Sequence, residues 1–168
     1  YTSMQTGVID AVEWVGPYND RTLGLMEVAE YYYYPGWHEP GAMLEFTVNQ
    51  DAFDRLSPDL QAIVEGAARA TNQDMLDEFT ARNNSSLTAL LEEYDTKLRP
   101  LPDDVLDILH SNAVIALDKL KQDDPMATKI SESYQTFLDG VRTYHEISER
   151  AYLNARDRVL PPISFTDQ

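Results

Sequence analysis

The sequence predicts an α/β fold: a small mixed sheet in the first third of the chain, then long helices. Two observations carry this. Before Ser57 the glycines, prolines and aromatic residues punctuate short apolar runs of strand length; after it, apolar residues recur at helical spacing. At 168 residues and 43% apolar, the chain is long enough to build a core and too hydrophobic to be disordered.

Tyr1 to Gly7 reads as the last turn of a helix ended by Gly7, as if the chain began inside a longer protein; a processed N-terminus is the alternative. Val8 to Val15 is an apolar run interrupted by Asp10 and Glu13, the pattern of a strand buried on both faces, and Gly16-Pro17 breaks it. Asn19-Asp20 can cap a short helix with Leu23, Met26 and Ala29 inward. Tyr31 to Tyr34 is a short aromatic strand stopped by Pro35-Gly36, and Met43 to Asn49 alternates as a third strand.

Ser57-Pro58 opens a helix through Leu60, Ile63, Val64, Ala67, Met75, Leu76 and Phe79, resumed by Leu87, Leu90, Leu91 and Tyr94. Unbroken, it is about 55 Å long at 1.5 Å per residue and suits a strut between two lobes. The alternative is a helix pair split at Asn83-Asn84-Ser85-Ser86, whose side chains compete for backbone hydrogen bonds. Lys97 to Leu101 reads as a short strand, and Asp103 to Gln122 as a helix with Val105, Leu106, Leu109, Ala113 and Leu117 inward. Asp124-Pro125 starts a long terminal helix whose stripe of Met126, Ile130, Tyr134, Phe137, Leu138, Val141, Ser148, Ala151 and Tyr152 has no evident partner within the chain. Pro161-Pro162 stops it before a short tail. The organisation expected is residues 1–56 as part of an α/β lobe, 57–96 as a connecting helix or helix pair, and 97–168 as a strand and C-terminal helices.

Charge narrows the function. Thirteen Lys and Arg against 29 Asp and Glu give a net charge of -16 and a pI near 4.3. Such a field opposes binding to nucleic acid, whose affinity comes from neutralising phosphates, and to anionic membrane surfaces. The absence of cysteine excludes disulfides, thiolate zinc sites and thiol nucleophiles. No apolar run approaches the roughly 20 residues needed to span a bilayer, and no signal peptide is visible. Nucleophile-elbow, Walker and dinucleotide-binding motifs are absent. His145-Glu146-Ile147-Ser148-Glu149 starts like a zinc-protease helix but carries Glu149 where the second histidine belongs.

Glu13 stands out because it lies between Val12 and Trp14 in a run that reads as buried. A buried carboxylate must be protonated, paired or metal-bound. The plainer reading is a strand-end glutamate in solvent, or one paired with Arg21. If the first two strands form a right-handed crossover unit, Glu13-Trp14 and Trp37-His38-Glu39 share one carboxyl-end edge, where open α/β sheets bind ligands. With Tyr31 to Tyr34 they would line an aromatic, acidic pocket, or the aromatics are simply core. An anion there needs a metal or an arginine beside it; a hard cation takes oxygen ligands such as Glu13 and a backbone carbonyl.

The segments Asp10-Ala11-Val12-Glu13-Trp14-Val15-Gly16-Pro17-Tyr18 and Tyr31-Tyr32-Tyr33-Tyr34-Pro35-Gly36-Trp37-His38-Glu39-Pro40-Gly41 resemble the solute-binding proteins of tripartite ATP-independent periplasmic (TRAP) transporters, in particular the 2-oxo-acid branch. The Ser57-Pro58 helix, the Leu98-Arg99-Pro100 segment and the Tyr-rich terminal helix extend the resemblance along the chain. It implies the C-terminal portion of a periplasmic-binding-protein type II-like fold with a long lobe-spanning helix and a long C-terminal helix. It further implies a periplasmic, non-enzymatic receptor that passes a small organic acid such as pyruvate to a membrane permease. In that branch a cation, usually sodium, bridges protein and ligand: the resemblance assigns it to the Glu13 side chain and the Trp14 carbonyl, with Glu39 on the substrate. It also implies a homodimer through the C-terminal helix, and an Arg and a Gln of the site in a preceding half. The alternatives are a helical interaction module without a ligand and a metal-assisted enzyme using Glu13 and Glu39.

Overall fold

The structure, a computed structural model, describes residues 1–41 and 44–160. The chain forms two compact units, 1–100 and 101–168.

In the first unit, α1 (Thr2–Gln5) is a single turn, and Gly7 follows it at φ +69, the left-handed conformation that ends helices. Residues 8–15 form no strand. Among the described residues the only sheet is made elsewhere, so this run has no ladder to join, and Val12, Trp14 and Val15 are exposed. The expected buried strand is therefore corrected to an irregular, exposed segment that joins no sheet among the described residues. α2 (Pro17–Thr22) begins with proline at its first position, two residues before the expected Asn19-Asp20 cap; those two residues lie inside the helix. A 3₁₀ turn, Leu25–Glu27, leads to β1 (Tyr31–Tyr34).

The expected third strand is absent over its described residues 44–49, which are irregular and exposed; Met43 lies outside the described residues. A short helix unforeseen in the sequence follows, α3 (Gln50–Asp54), capped by Asn49, whose side chain accepts from the Ala52 N–H at 3.0 Å.

α4 (Pro58–Glu93) runs 36 residues without a break, and β2 (Lys97–Pro100) then pairs in parallel with β1, Tyr31 opposite Lys97 and Tyr34 opposite Pro100. The small sheet is thus two parallel strands, with α4 inside the long connection that parallel pairing requires. Asn83 explains why the polar stretch leaves the helix whole. Its Oδ1 accepts the Tyr18 N–H at 3.0 Å, satisfying a free donor at the start of α2. Ser86, Ala89 and Leu90 are buried nearby along the helix, and Leu25, Ala89 and Leu90 are the buried apolar residues among those described. Leu60, Ile63 and Leu76, expected on an inward face, are exposed.

In the second unit, α5 (Asp103–Asp123) packs on α6 (Pro125–Ile147), and α6 on α7 (Glu149–Asp157). Asp124 caps α6 by accepting the Met126 N–H at 2.8 Å. The single terminal helix expected is divided at Ser148, whose backbone leaves helical geometry at ψ -108 and whose hydroxyl donates to the Tyr144 carbonyl. Along α5, Val105, Leu109 and Leu117 are exposed rather than inward. The Pro161-Pro162 stop and tail lie outside the described residues.

Candidate ligand-binding site

The site grows from two loops, residues 8–16 before α2 and residues 35–41 after β1. α2 is seated on α4 by the Tyr18–Asn83 bond, by the Tyr18 ring edge-on to Phe79 at 6.2 Å, and by Arg82 over the Tyr18 ring at 5.3 Å. From that seat Asp20 turns toward β1, where the Tyr32 hydroxyl donates to its Oδ2 at 2.5 Å. Asp20 is buried, and its Oδ1 has no hydrogen-bond partner among the described residues. Burial pushes the Asp20 carboxyl above its ordinary range; the Tyr32 hydroxyl opposes this, and the nearby charge of Glu13 adds to it. Burial, and then the carboxylate it meets, push the Tyr32 hydroxyl far above the usual phenol value.

Beyond this buried tie the two loops meet. His38 Nε2 lies 2.8 Å from Glu13 Oε2. An ionised carboxylate only accepts, so Nε2 carries the hydrogen and donates. Both side chains are half exposed, at 54% and 55%, so Glu13 is not the buried carboxylate its apolar neighbours suggest. Nor is Arg21 its partner: Arg21 pairs with Glu93 at 3.5 Å. Glu39 is exposed one residue beyond His38, with no hydrogen bond to Glu13.

The tyrosine cluster does not form one wall. Alternation along β1 sends Tyr32 to the Asp20 side and Tyr31 and Tyr33 to the other, where their rings lie 6.4 Å apart. The sequence put His38 and the Tyr31 to Tyr34 run at this edge without a role for either, and it read Asp20 only as a helix cap; the pairings of Tyr32 with Asp20 and of His38 with Glu13 were missed. The signal for His38 was its place beside Trp37 and Glu39; nothing local distinguishes Tyr32 from its three neighbours.

A hard cation fits the donor chemistry present. The second oxygen of Glu13 and the carbonyl of Trp14 accept no hydrogen bond within the described residues. Both are oxygen donors of the kind sodium and calcium take. Two donors are fewer than such an ion needs, and no group of three acidic or histidine residues that could hold a metal occurs among the described residues. Ligand and further protein atoms would have to complete the shell.

Similar proteins place these residues in context. The family described as bacterial extracellular solute-binding protein, family 7, matches residues 1–116. A monocarboxylate 2-oxoacid-binding periplasmic protein of Nostoc sp. is 34% identical over 154 residues, 92% of this chain and 42% of its own length. A crystal structure of a TRAP transporter solute-binding protein from Bordetella bronchiseptica superposes with a TM-score of 0.86 at 31% identity, over 94% of this chain and 47% of that one. It is a mixed-occupancy dimer, with copurified calcium and picolinate bound in one active site and the other site apo. The chain thus spans less than half the length of the relatives it matches. No described helix is long and apolar enough to cross a membrane. These relatives are solute-binding receptors rather than enzymes, which sets aside the metal-assisted enzyme. By its match over residues 1–116 and its likeness to the solved receptor, the chain belongs to bacterial extracellular solute-binding protein family 7, with the α/β fold of a TRAP transporter solute-binding protein.

Proposed function

We propose that the chain is part of a periplasmic TRAP receptor that captures a small organic acid, a 2-oxo acid such as pyruvate, and delivers it to the membrane permease. In this reading a cation, sodium or another hard ion, bridges the Glu13 carboxylate, the Trp14 carbonyl and the bound acid, and Glu39 contacts the substrate. Residues 1–56 contribute to a ligand-binding lobe, 57–96 connect lobes, and 97–168 supply the strand and C-terminal helices. The observation that carries the reading is the meeting of the Glu13 and His38-Glu39 loops at 2.8 Å, in a chain related to a protein named for 2-oxo acids.

Chemistry supports the bridging ion. A chain of net charge -16 repels an organic anion unless a cation stands between them. Picolinate carries a carboxylate beside a ring nitrogen, and a 2-oxo acid carries one beside a carbonyl oxygen. Each offers two adjacent donors to one ion, so a site that accepts calcium with the first suits a cation with the second.

Calorimetric titration of the complete reading frame's product with a panel of 2-oxo acids, with and without sodium, tests this. The expected result is tight binding that requires the cation and is lost in Glu13→Gln. Binding independent of any cation would remove Glu13 and Trp14 from the metal site. No binding across the panel would move the ligand to another class, such as dicarboxylates.

The α6 stripe supports a homodimer as part of the same proposal. Ile130, Tyr134, Phe137, Val141 and Tyr144 follow the alternating four-and-three spacing of a helix–helix seam, and all are exposed. Light scattering is expected to give a dimer for the complete protein and a monomer for Phe137→Glu; a monomeric parent would overturn it.

A further inference from the structure

Two ties join the strands of chain that carry Glu13 and Glu39. Asp20 and Tyr32 make the buried one. Glu13, seven residues before Asp20, and His38, six residues after Tyr32, make the exposed one. The four residues close a ring through two hydrogen bonds. The buried bond fixes where α2 and β1 stand, while each loop leaves its element and runs on alone. A second bond couples their tips. His38 supplies it, and it does so through one oxygen of Glu13 only, leaving the other oxygen free to face a ligand.

We propose that His38 is a positioning residue: its Nε2–H clasps Glu13 Oε2, orienting the remaining carboxylate oxygen toward the cation and holding the Glu13 loop in register with Glu39. The inference rests on the cation-bridged reading above and goes beyond it by naming the group that sets the geometry of the bridge. Partners that orient a metal-ligating side chain characteristically change metal affinity by about 10- to 100-fold when removed. The clasp is half exposed, and exposed pairs add little to folding stability, so its loss should act on binding and not on the fold.

The test uses the complete reading frame's product, titrated calorimetrically with sodium at fixed pyruvate and with pyruvate at saturating sodium. His38→Ala is expected to raise the sodium requirement by about 10- to 100-fold, with pyruvate affinity largely restored once sodium saturates. His38→Gln, whose amide can still donate to the carboxylate, should return most of the sodium affinity. Melting temperatures of the unliganded variants should match the parent. A parent that binds pyruvate without sodium overturns the cation reading itself. A sodium-dependent parent whose His38→Ala variant needs no more sodium than it does overturns the clasp alone. So does a His38→Gln variant as weak as His38→Ala with a lowered melting temperature, because that pattern belongs to a merely structural histidine.

Discussion

Asp20 and Tyr32 show what one buried hydrogen bond does here. Asp20 is buried among α2 and β1, and its carboxyl is raised above the ordinary 3.8 chiefly by that burial. A carboxyl whose folded value is raised holds its proton more tightly folded than unfolded. Its contribution to stability is therefore full below the ordinary value and is lost as pH climbs through the raised one. Asp20→Asn keeps an acceptor for the Tyr32 hydroxyl and removes the charge. Thermal unfolding should then show the variant gaining on the parent as pH rises above the ordinary 3.8, with the two converging near pH 3; a constant offset would mean Asp20 does not titrate with a raised value. Tyr32→Phe strips the buried carboxylate of its donor and should cost about 1 to 3 kcal/mol at neutral pH, and less in acid. Glu30 behaves oppositely. The Lys97 ammonium beside it holds its carboxyl below the usual range, so that pair stabilises above the ordinary value and fades as pH falls.

At the scale of elements, α4 organises the first unit from its C-terminal half. Leu90 is 1% exposed, the most deeply buried large side chain described, and Leu90→Ala should cost about 2 to 5 kcal/mol by denaturant unfolding. Asn83 reads in the sequence as a helix breaker. In the fold its side chain accepts from the first turn of α2, so the residue that weakens one helix secures another. Asn83→Ala should strengthen α4 locally yet lower the stability of the whole by about 1 kcal/mol, because the Tyr18 N–H loses its acceptor. An increase in stability would show that the Tyr18 contact is dispensable. The break at Ser148 makes the converse point: the apolar stripe passes through it unchanged, and only backbone geometry records where α6 ends.

For the molecule as a whole, the accessible surface is 13823 Å². Two independent domains of these sizes would expose about 10,000 Å². The excess is apolar in part, on residues 8–15, on the first half of α4 and along α6. In the proposed receptor the remainder of a family-length protein covers the first two of these surfaces. Amide exchange over residues 8–15 should accordingly be slower in the complete reading frame's product than in the 168-residue chain, and a hydrophobic dye should bind the short chain more strongly; equal exchange in both would place that loop in solvent.

By itself the sequence determined the helical character of the chain from Ser57 onward and the two short strands at Tyr31 and Lys97, and its resemblance to a known family singled out the class of protein and the segments that carry Glu13 and Glu39. The elements rest on local chemistry, on caps, prolines and periodicity; the class rests on the resemblance carried by residues 10–18 and 31–41, with the acidic, cysteine-free composition excluding other classes. Tertiary structure alone decided which apolar runs are buried, since Val8 to Val15 and residues 44–49 become strands only beside a partner edge that the described residues do not provide. It alone decided that β1 pairs with β2 and not with the run before it. And it chose, among four consecutive tyrosines and three histidines, Tyr32 for Asp20 and His38 for Glu13. Hydrogen-bond partners 12 and 25 residues apart leave no trace in local pattern, because what joins them is the placement of α2 against α4 and β1 rather than any preference of the residues themselves.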